Sequence, residues 1–460
     1  MVGTRGLWYR ARVRLAWFTP WPPERSGIAA YSAELLPHLA AHAAIDVFLG
    51  RGPTPADAAA PAGVRLFSAH EFLRLHGARP YDLVVYQVGN ARCHDYMWAY
   101  LARVPGLVVL HDAQLHHSRA AALLRQGRAG DYRAEFAYSH PDAPPALAEF
   151  IVNGLQGSPY YLWPHRRVVV QAARALAAHN DWLAARLREE APGVPVRTVR
   201  MGTRAHDSAR RAQAEGHPVF AAFGGITFEK RIPQVLRAFA RALEVAPAAR
   251  LVLVGEARDH YDVAADLNAL GIGGRVTIAG YVADEDLDGW IQAADLCLCL
   301  RWPTSRETSA SWLRCLAAGK ATVVTDLVHT IEVPTLDPRH WGLQHASARG
   351  ADADAPPPRE AAVAVALDIL DEDHSLGLAV QRLAADAPLR ARLGTAARRW
   401  WEAHHTLAHM EADYLAAIEA ALDAPGVPAG RASLPPHLLD AAGGTLSRVV
   451  SEMGITNPLE

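Results

Sequence analysis

A chain of 460 residues is too long for one ordinary hydrophobic core and predicts two or three domains. Half of its residues are hydrophobic and its formal net charge is −2, with both signs interspersed. That pattern argues for a globular protein and against a nucleic-acid-binding surface. No stretch has the apolar length of a transmembrane helix, and no signal peptide is evident. Cys93, Cys297, Cys299 and Cys315 follow no metal-finger spacing and read as reduced thiols of a cytosolic protein. The leader, with Arg5, Trp8, Tyr9, Arg10, Arg12 and Arg14, is irregular and compatible with an anionic membrane surface.

In chain order, residues 15–19 predict a first strand, and Pro20, Pro22 and Pro23 force a loop. Ser26 then opens a helix whose apolar face is Ile28, Tyr31, Leu35, Leu36 and Leu39. Gly27 permits close backbone approach to a ligand. Strands are expected over 45–49, 83–88 and 107–110, the last running into His111 and Asp112, with a helix over 94–104. Residues 119–164 predict helices and a long loop. Residues 168–171 and 196–199 read as the closing strands of this half. A polar linker spans 202–217.

A second series follows. Strand 219–223 leads to Gly224 and Gly225, and Ile232, Val235, Leu236, Phe239 and Leu243 form a helical face. Strand 251–254 ends at Gly255 and Glu256, and strand 276–279 at Gly280 and Tyr281. Strands over 296–300, 322–325 and 363–367 complete it. Alternating strands and helices predict two doubly wound α/β sheets in tandem. Residues 351–358 read as a surface loop and 389–422 as helical. The tail from Pro425 is expected to be mobile, with a short helix near Leu438.

Ligands of open parallel sheets bind beyond the carboxyl ends of strands, and Gly27, His111, Lys230, Glu256 and Glu307 all follow strands. Glu307 is expected at the opening of a helix, among Thr308, Ser309 and Ser311. Backbone N–H groups there suit phosphates, and the carboxylate suits sugar hydroxyls. The plainer alternative is that Glu307 only complements the helix dipole. His111 suits a sugar or developing charge, or is a satisfied imidazole at a sheet edge. Lys230, past a glycine pair and beside Arg231, suits a diphosphate. The spacing of His111, His116 and His117 matches no zinc motif, and the acidic triplets 284–286, 352–354 and 371–373 are assigned no metal. No G-x-G-x-x-G follows the first strand, which weakens a dehydrogenase reading.

Four stretches resemble glycosyltransferase family 4, the group 1 glycosyltransferases. They are Pro22-Pro-Glu-Arg-Ser-Gly-Ile-Ala-Ala-Tyr31, Val109-Leu-His-Asp-Ala-Gln-Leu-His-His117, Phe223-Gly-Gly-Ile-Thr-Phe-Glu-Lys-Arg231, and the stretch from Leu300 to Asp326. The resemblance implies the GT-B fold: two Rossmann-like domains facing across a cleft, with a C-terminal helix crossing back to the first. Residues 1–205 would form the acceptor domain, 206–395 the donor domain, 396–422 the returning helix and 423–460 a tail. It implies a retaining, metal-independent transferase, without cofactor, taking a hexose from a UDP- or GDP-type nucleotide sugar. The acceptor would be a glycan or lipid-linked saccharide of cell-surface polysaccharide synthesis. The enzyme would be cytoplasmic, with peripheral contact to the inner membrane face through the leader left as an open alternative. Gly27 would approach the donor phosphates and His111 the transferred sugar. Lys230 would hold the diphosphate, and Glu307 the sugar hydroxyls, beside the Thr308 and Ser309 amides. Gly224, Gly225, Arg231, Glu256 and Tyr281 would complete the donor side, and Ser26, Asp112 and His116 the acceptor side. Two positions depart from the family pattern. Its second glutamate falls at Cys315, and an arginine five residues before the lysine falls at Gly225. These departures keep open a non-catalytic nucleotide-sugar-binding or scaffold protein, and a GT-B nucleotide-sugar epimerase.

Overall fold

The computed structural model describes residues 13–54, 57, 59–206, 216–257, 261–344 and 362–439, without the Glu285 side chain. The leader before Val13, the loop 351–358, most of the linker and the tail beyond Leu439 lie outside the described residues, as do Asp352 and Asp354. The chain divides into two compact units. The first comprises 1–201, 305–308 and 407–460, and the second 202–304 and 309–406.

Seven described strands build the first unit's sheet: β1 (Arg14–Phe18), β2 (Ala44–Leu49), β3 (Val64–Ser68), β4 (Leu83–Val88), β5 (Leu107–Leu110), β6 (Ala175–Ala178) and β7 (Val196–Thr198). Their order is β3-β2-β1-β4-β5-β6-β7, and every pairing is parallel. The central strands are apolar runs buried on both faces, as a helix-covered parallel sheet requires. The strand order reverses between β1 and β4, which opens a crevice at their carboxyl ends.

Three expectations are corrected here. Residues 168–171 form no strand; they lie in the helix Arg167–Ala172, and β6 follows it. A short apolar run serves a buried helix as well as a strand, and the alanine-rich β6 has weak strand propensity. The half-exposed edge strand β3 has no place in the sequence reading. Arg14 belongs to β1, not to a leader. Its N–H donates to Asp82 at 2.7 Å, and its guanidinium donates to the Arg79 and Pro80 carbonyls.

The second sheet is built from β8 (Val219–Phe223), β9 (Arg250–Val254), β10 (Val276–Gly280), β11 (Leu296–Cys299), β12 (Ala321–Thr325), β13 (Thr335–Leu336), β14 (Leu343–Gln344) and β15 (Ala364–Leu367). Its order among the described residues is β10-β9-β8-β11-β12-β15-β13-β14, antiparallel only at β13–β14. Here the order reverses between β8 and β11. The helix Ile232–Val245 turns Ile232, Val235, Leu236 and Phe239 into the core, on the face read from the sequence.

The helical pattern of 389–422 resolves into two helices. Ala387–His404 belongs to the second unit. Leu407–Asp423 is grouped with the first unit and buries Met410, Tyr414, Ala417 and Ile418. These are the two Rossmann-like units and returning helix of the GT-B fold. Among the described residues no helix is long and apolar enough to cross a membrane.

Candidate active site

In the first unit, β1 leads through the proline loop to the helix Gly27–Leu39. Ser26 caps it, its Oγ accepting from the Ile28 N–H at 3.2 Å. No acidic side chain occupies the first turn, and a Cβ placed on Gly27 would meet no atom within 4 Å. The helix start is therefore open and electropositive, as an anion requires. β5 ends at His111 and Asp112. The Asn90 N–H donates to Asp112 Oδ2 at 2.7 Å, and Asn90 Oδ1 accepts from the Ser118 N–H at 2.9 Å.

His111 is buried and turned inward. Its Nε2 lies 2.7 Å from the Gln87 side-chain amide and its Nδ1 3.1 Å from His179 Nε2. Tyr31 meets the ring edge-on at 4.9 Å. Burial, then the neighbouring His179 and His94, hold His111 well below the usual imidazole range. His116 lies apart from this group. It starts the helix His116–Arg125, contacts the Tyr132 hydroxyl at 2.8 Å and stacks on His165 at 5.0 Å. Burial and the His165 and His140 neighbours lower it to about 2. Beside it, the buried Arg119 guanidinium donates to both Glu135 oxygens, at 2.8 and 2.6 Å.

Residues 305–308 pack with the first unit. The Ala113 N–H donates to the Ser305 carbonyl at 2.8 Å, Asn90 Nδ2 donates to Ser305 Oγ at 3.3 Å, and Arg306 sits over the Trp182 ring. Thr308 Oγ1 donates to the His179 carbonyl at 3.5 Å. Glu307 does not open the helix. That helix is Ala310–Ala317, and Ser309 caps it by accepting from the Trp312 N–H. Glu307 precedes the cap by two residues, so capping is Ser309's task.

In the second unit the loops after β8 and β9 are stitched through their backbones. The Gly224 N–H donates to the Val254 carbonyl and the Ile226 N–H to the Glu256 carbonyl, each at 2.9 Å. A Cβ on Gly255 would overlap the Gly224 carbonyl, so only glycine fits there. Gly224 has φ 101°, and Lys230 Nζ folds back to 3.4 Å from its ideal Cβ position. The structure thus brings Gly224, Gly225 and Lys230 together at the end of β8, where the strand order reverses. Arg231 turns away, its Nε donating to the Glu372 carboxylate at 2.8 and 3.1 Å. Glu256 is exposed beyond β9, and Tyr281 is 57% exposed beyond β10. Cys315 is fully buried with Cys297 in an apolar cluster, and burial pushes its thiol up.

The sequence reading missed Gln87, Asn90, His179, Gly255 and Tyr414. Gln87 did leave a signal: it is a polar residue inside the apolar run of β4. Among the described residues no three His, Cys, Asp or Glu side chains gather to hold a metal ion.

Residues 217–340 match the family model described as glycosyl transferases group 1. No curated protein matches the chain in sequence. Among solved structures, sucrose-phosphate synthase from Thermosynechococcus elongatus aligns with 14% identity and a TM-score of 0.60, over 88% of this chain and 98% of its own. Anabaena HepE, solved with UDP and glucose, aligns with 12% identity and a TM-score of 0.56, over 89% and 100%. WaaG, a glycosyltransferase involved in lipopolysaccharide biosynthesis, aligns with 13% identity and a TM-score of 0.55, over 87% and 99%.

Proposed function

We propose that this chain, a GT-B protein with a group 1 glycosyltransferase match over residues 217–340, transfers a hexose from a nucleotide diphosphate-sugar. The acceptor is a glycan or lipid-linked saccharide, and the anomeric configuration is retained. The carrying observation is the Lys230 ammonium folded over the Gly224 turn, at the reversal point of the second sheet. A flexible cation folded against a glycine turn suits a diphosphate, and neutralises it as it leaves. The UDP bound by HepE favours a UDP-type donor.

In this reading the acceptor oxygen bonds to the anomeric carbon as the bond from that carbon to the phosphate oxygen breaks. The acceptor proton leaves on the diphosphate. Gly27 and its helix start approach the phosphates, while Glu307, Thr308 and Ser309 hold the sugar. Gly225, Glu256 and Tyr281 border the donor. The His111 position borders the transferred sugar, Ser26 and Asp112 face the acceptor side, and His116 supports that side from its own buried cluster. Arg231 holds the base of the Lys230 loop through Glu372. In this reading no metal or cofactor is required, and the enzyme works in the cytoplasm.

Two observations favour a second reading, a protein that binds nucleotide sugars without transfer. Cys315 is sealed in the core, and Arg231 is claimed by Glu372. Losing a charged hydrogen bond to the ribose costs about 1.5–3 kcal/mol, roughly one to two decades of nucleotide affinity. A thermal-shift screen with UDP, GDP, ADP and their hexose conjugates in chelator, followed by sugar transfer with the best donor, decides between them. A raised Tm with turnover supports the transferase. Binding without transfer or hydrolysis supports the second reading. Donor conversion without acceptor points to an epimerase.

A further inference from the structure

His111 is one member of a buried row of polar side chains in the first unit, and the arrangement of their protons can be worked out link by link. His179 Nδ1 lies 2.8 Å from the Val199 carbonyl oxygen, which can only accept. Nδ1 therefore carries a proton. Burial holds His179 at about 4, so the ring is neutral near pH 7 and its Nε2 is a lone pair. That lone pair faces His111 Nδ1 at 3.1 Å, so His111 must donate from Nδ1. His111 is itself buried and uncharged, so its Nε2 is bare and needs a donor.

The group facing that nitrogen at 2.7 Å is the Gln87 amide. Only its NH2 end can donate. Both amide ends reach the Tyr414 hydroxyl, at 3.1 and 3.2 Å, so a half-turn of the amide keeps that contact. With NH2 toward His111, the amide oxygen accepts from Tyr414, and Tyr414 accepts from the Tyr31 hydroxyl at 2.7 Å. Every proton in the row then points one way, from Tyr31 to Val199. The opposite amide orientation would set two bare nitrogens against each other at the His111–His179 contact, or demand a buried charge.

We infer that Tyr31, Tyr414, Gln87 and His179 are positioning residues that lock His111 as a neutral imidazole protonated on Nδ1. The end of β5 then meets substrate as an uncharged, fixed framework and not as a proton donor or acceptor. The lock's use in sugar transfer rests on the function proposed above; the lock itself does not. The titratable groups around the ring fit it. His179 faces it from beyond β6, His94 from beyond β4, Tyr31 from the helix Gly27–Leu39 and Tyr414 from the helix Leu407–Asp423. The neighbouring Asp413 is paired with Arg200 at 2.7 and 2.8 Å, and Asp112 takes the Asn90 N–H.

The test is 15N NMR of the full-length protein labelled at histidine, with His111 assigned by its loss in His111→Asn. The expected spectrum has a protonated Nδ1 and a lone-pair Nε2, unchanged between about pH 5.5 and 8. Gln87→Glu places a carboxylate opposite Nε2 and is expected to move the proton onto that nitrogen. Tyr414→Phe keeps the ring, removes the hydroxyl beyond the amide and leaves the Val199 end intact, so His111 is expected to stay protonated on Nδ1, and mixed tautomers there would overturn the order of links. A wild-type His111 protonated on Nε2, or titrating in that range, overturns the inference. So does a folded Gln87→Glu protein with an unaltered His111 signal. The spectrum needs no turnover, so an absent transferase activity would count against the proposed function and leave this reading standing.

Discussion

The end of β5 in the first unit and the ends of β8 and β9 in the second answer the same demand in opposite ways. At β5 a row of buried neutral side chains joins positions far apart in sequence, His111 to His179 across 68 residues and Gln87 to Tyr414 across 327. At β8 and β9 the work is done by backbone: two main-chain bonds, a glycine that admits no side chain, and one cation folded over the turn. A side-chain row is sensitive to protons, because each link depends on which atom carries one. A backbone turn is sensitive to volume, because its atoms are already in contact.

The largest expected effect separates the units by acid. His94 and His179 sit at about 4 and His116 at about 2 in the folded first unit, all lowered chiefly by burial, against about 6.5 unfolded. In that window the unfolded chain binds more protons, so stability falls as pH drops from about 6.5 to 4, by up to about 3 kcal/mol for each of the first two. Hydrogen exchange during an acid titration should lose protection in β4–β6 before β8–β12. Simultaneous loss, or no loss above pH about 4, would erase the contrast.

Lys230→Ala comes next. Removing the cation over the turn should lower turnover about 10²–10³-fold and weaken UDP binding. An unchanged rate would place the diphosphate elsewhere. Gly255→Ala should cost about 1–3 kcal/mol in urea unfolding, because the new methyl overlaps the Gly224 carbonyl and the turn must open. An unaltered midpoint would show that the turn is looser than its contacts imply. The smallest effect is Tyr414→Phe, which should lose about 1 kcal/mol by the same measurement, one buried hydroxyl's worth.

The fold was legible where short-range pattern suffices. β4, β5 and β8 were read residue for residue, because each is an apolar run closed by glycine, proline or polar residues. Residues 168–171 in the helix Arg167–Ala172 read as a strand because a buried valine run has no period to betray it. The cluster of Gly224, Gly225 and Lys230 was legible because its members are neighbours in sequence. The roles of Arg231 and Cys315 were not. Glu372, which claims Arg231, lies 141 residues away, and Cys315 is sealed by strand residues from β8, β9 and β11.

The alternation of strands and helices in outline, the ends of β4, β5 and β8 and the class of fold were determined by the sequence alone. Hydrophobic period and chain-breaking residues act within a few positions and need no partner. Which nitrogen of His111 bears its proton, that Arg231 is engaged by Glu372, and which carboxyl end is backbone and which is side chain were decided by tertiary structure. Each depends on a donor, acceptor or volume supplied from a distant part of the chain, and no local pattern records that.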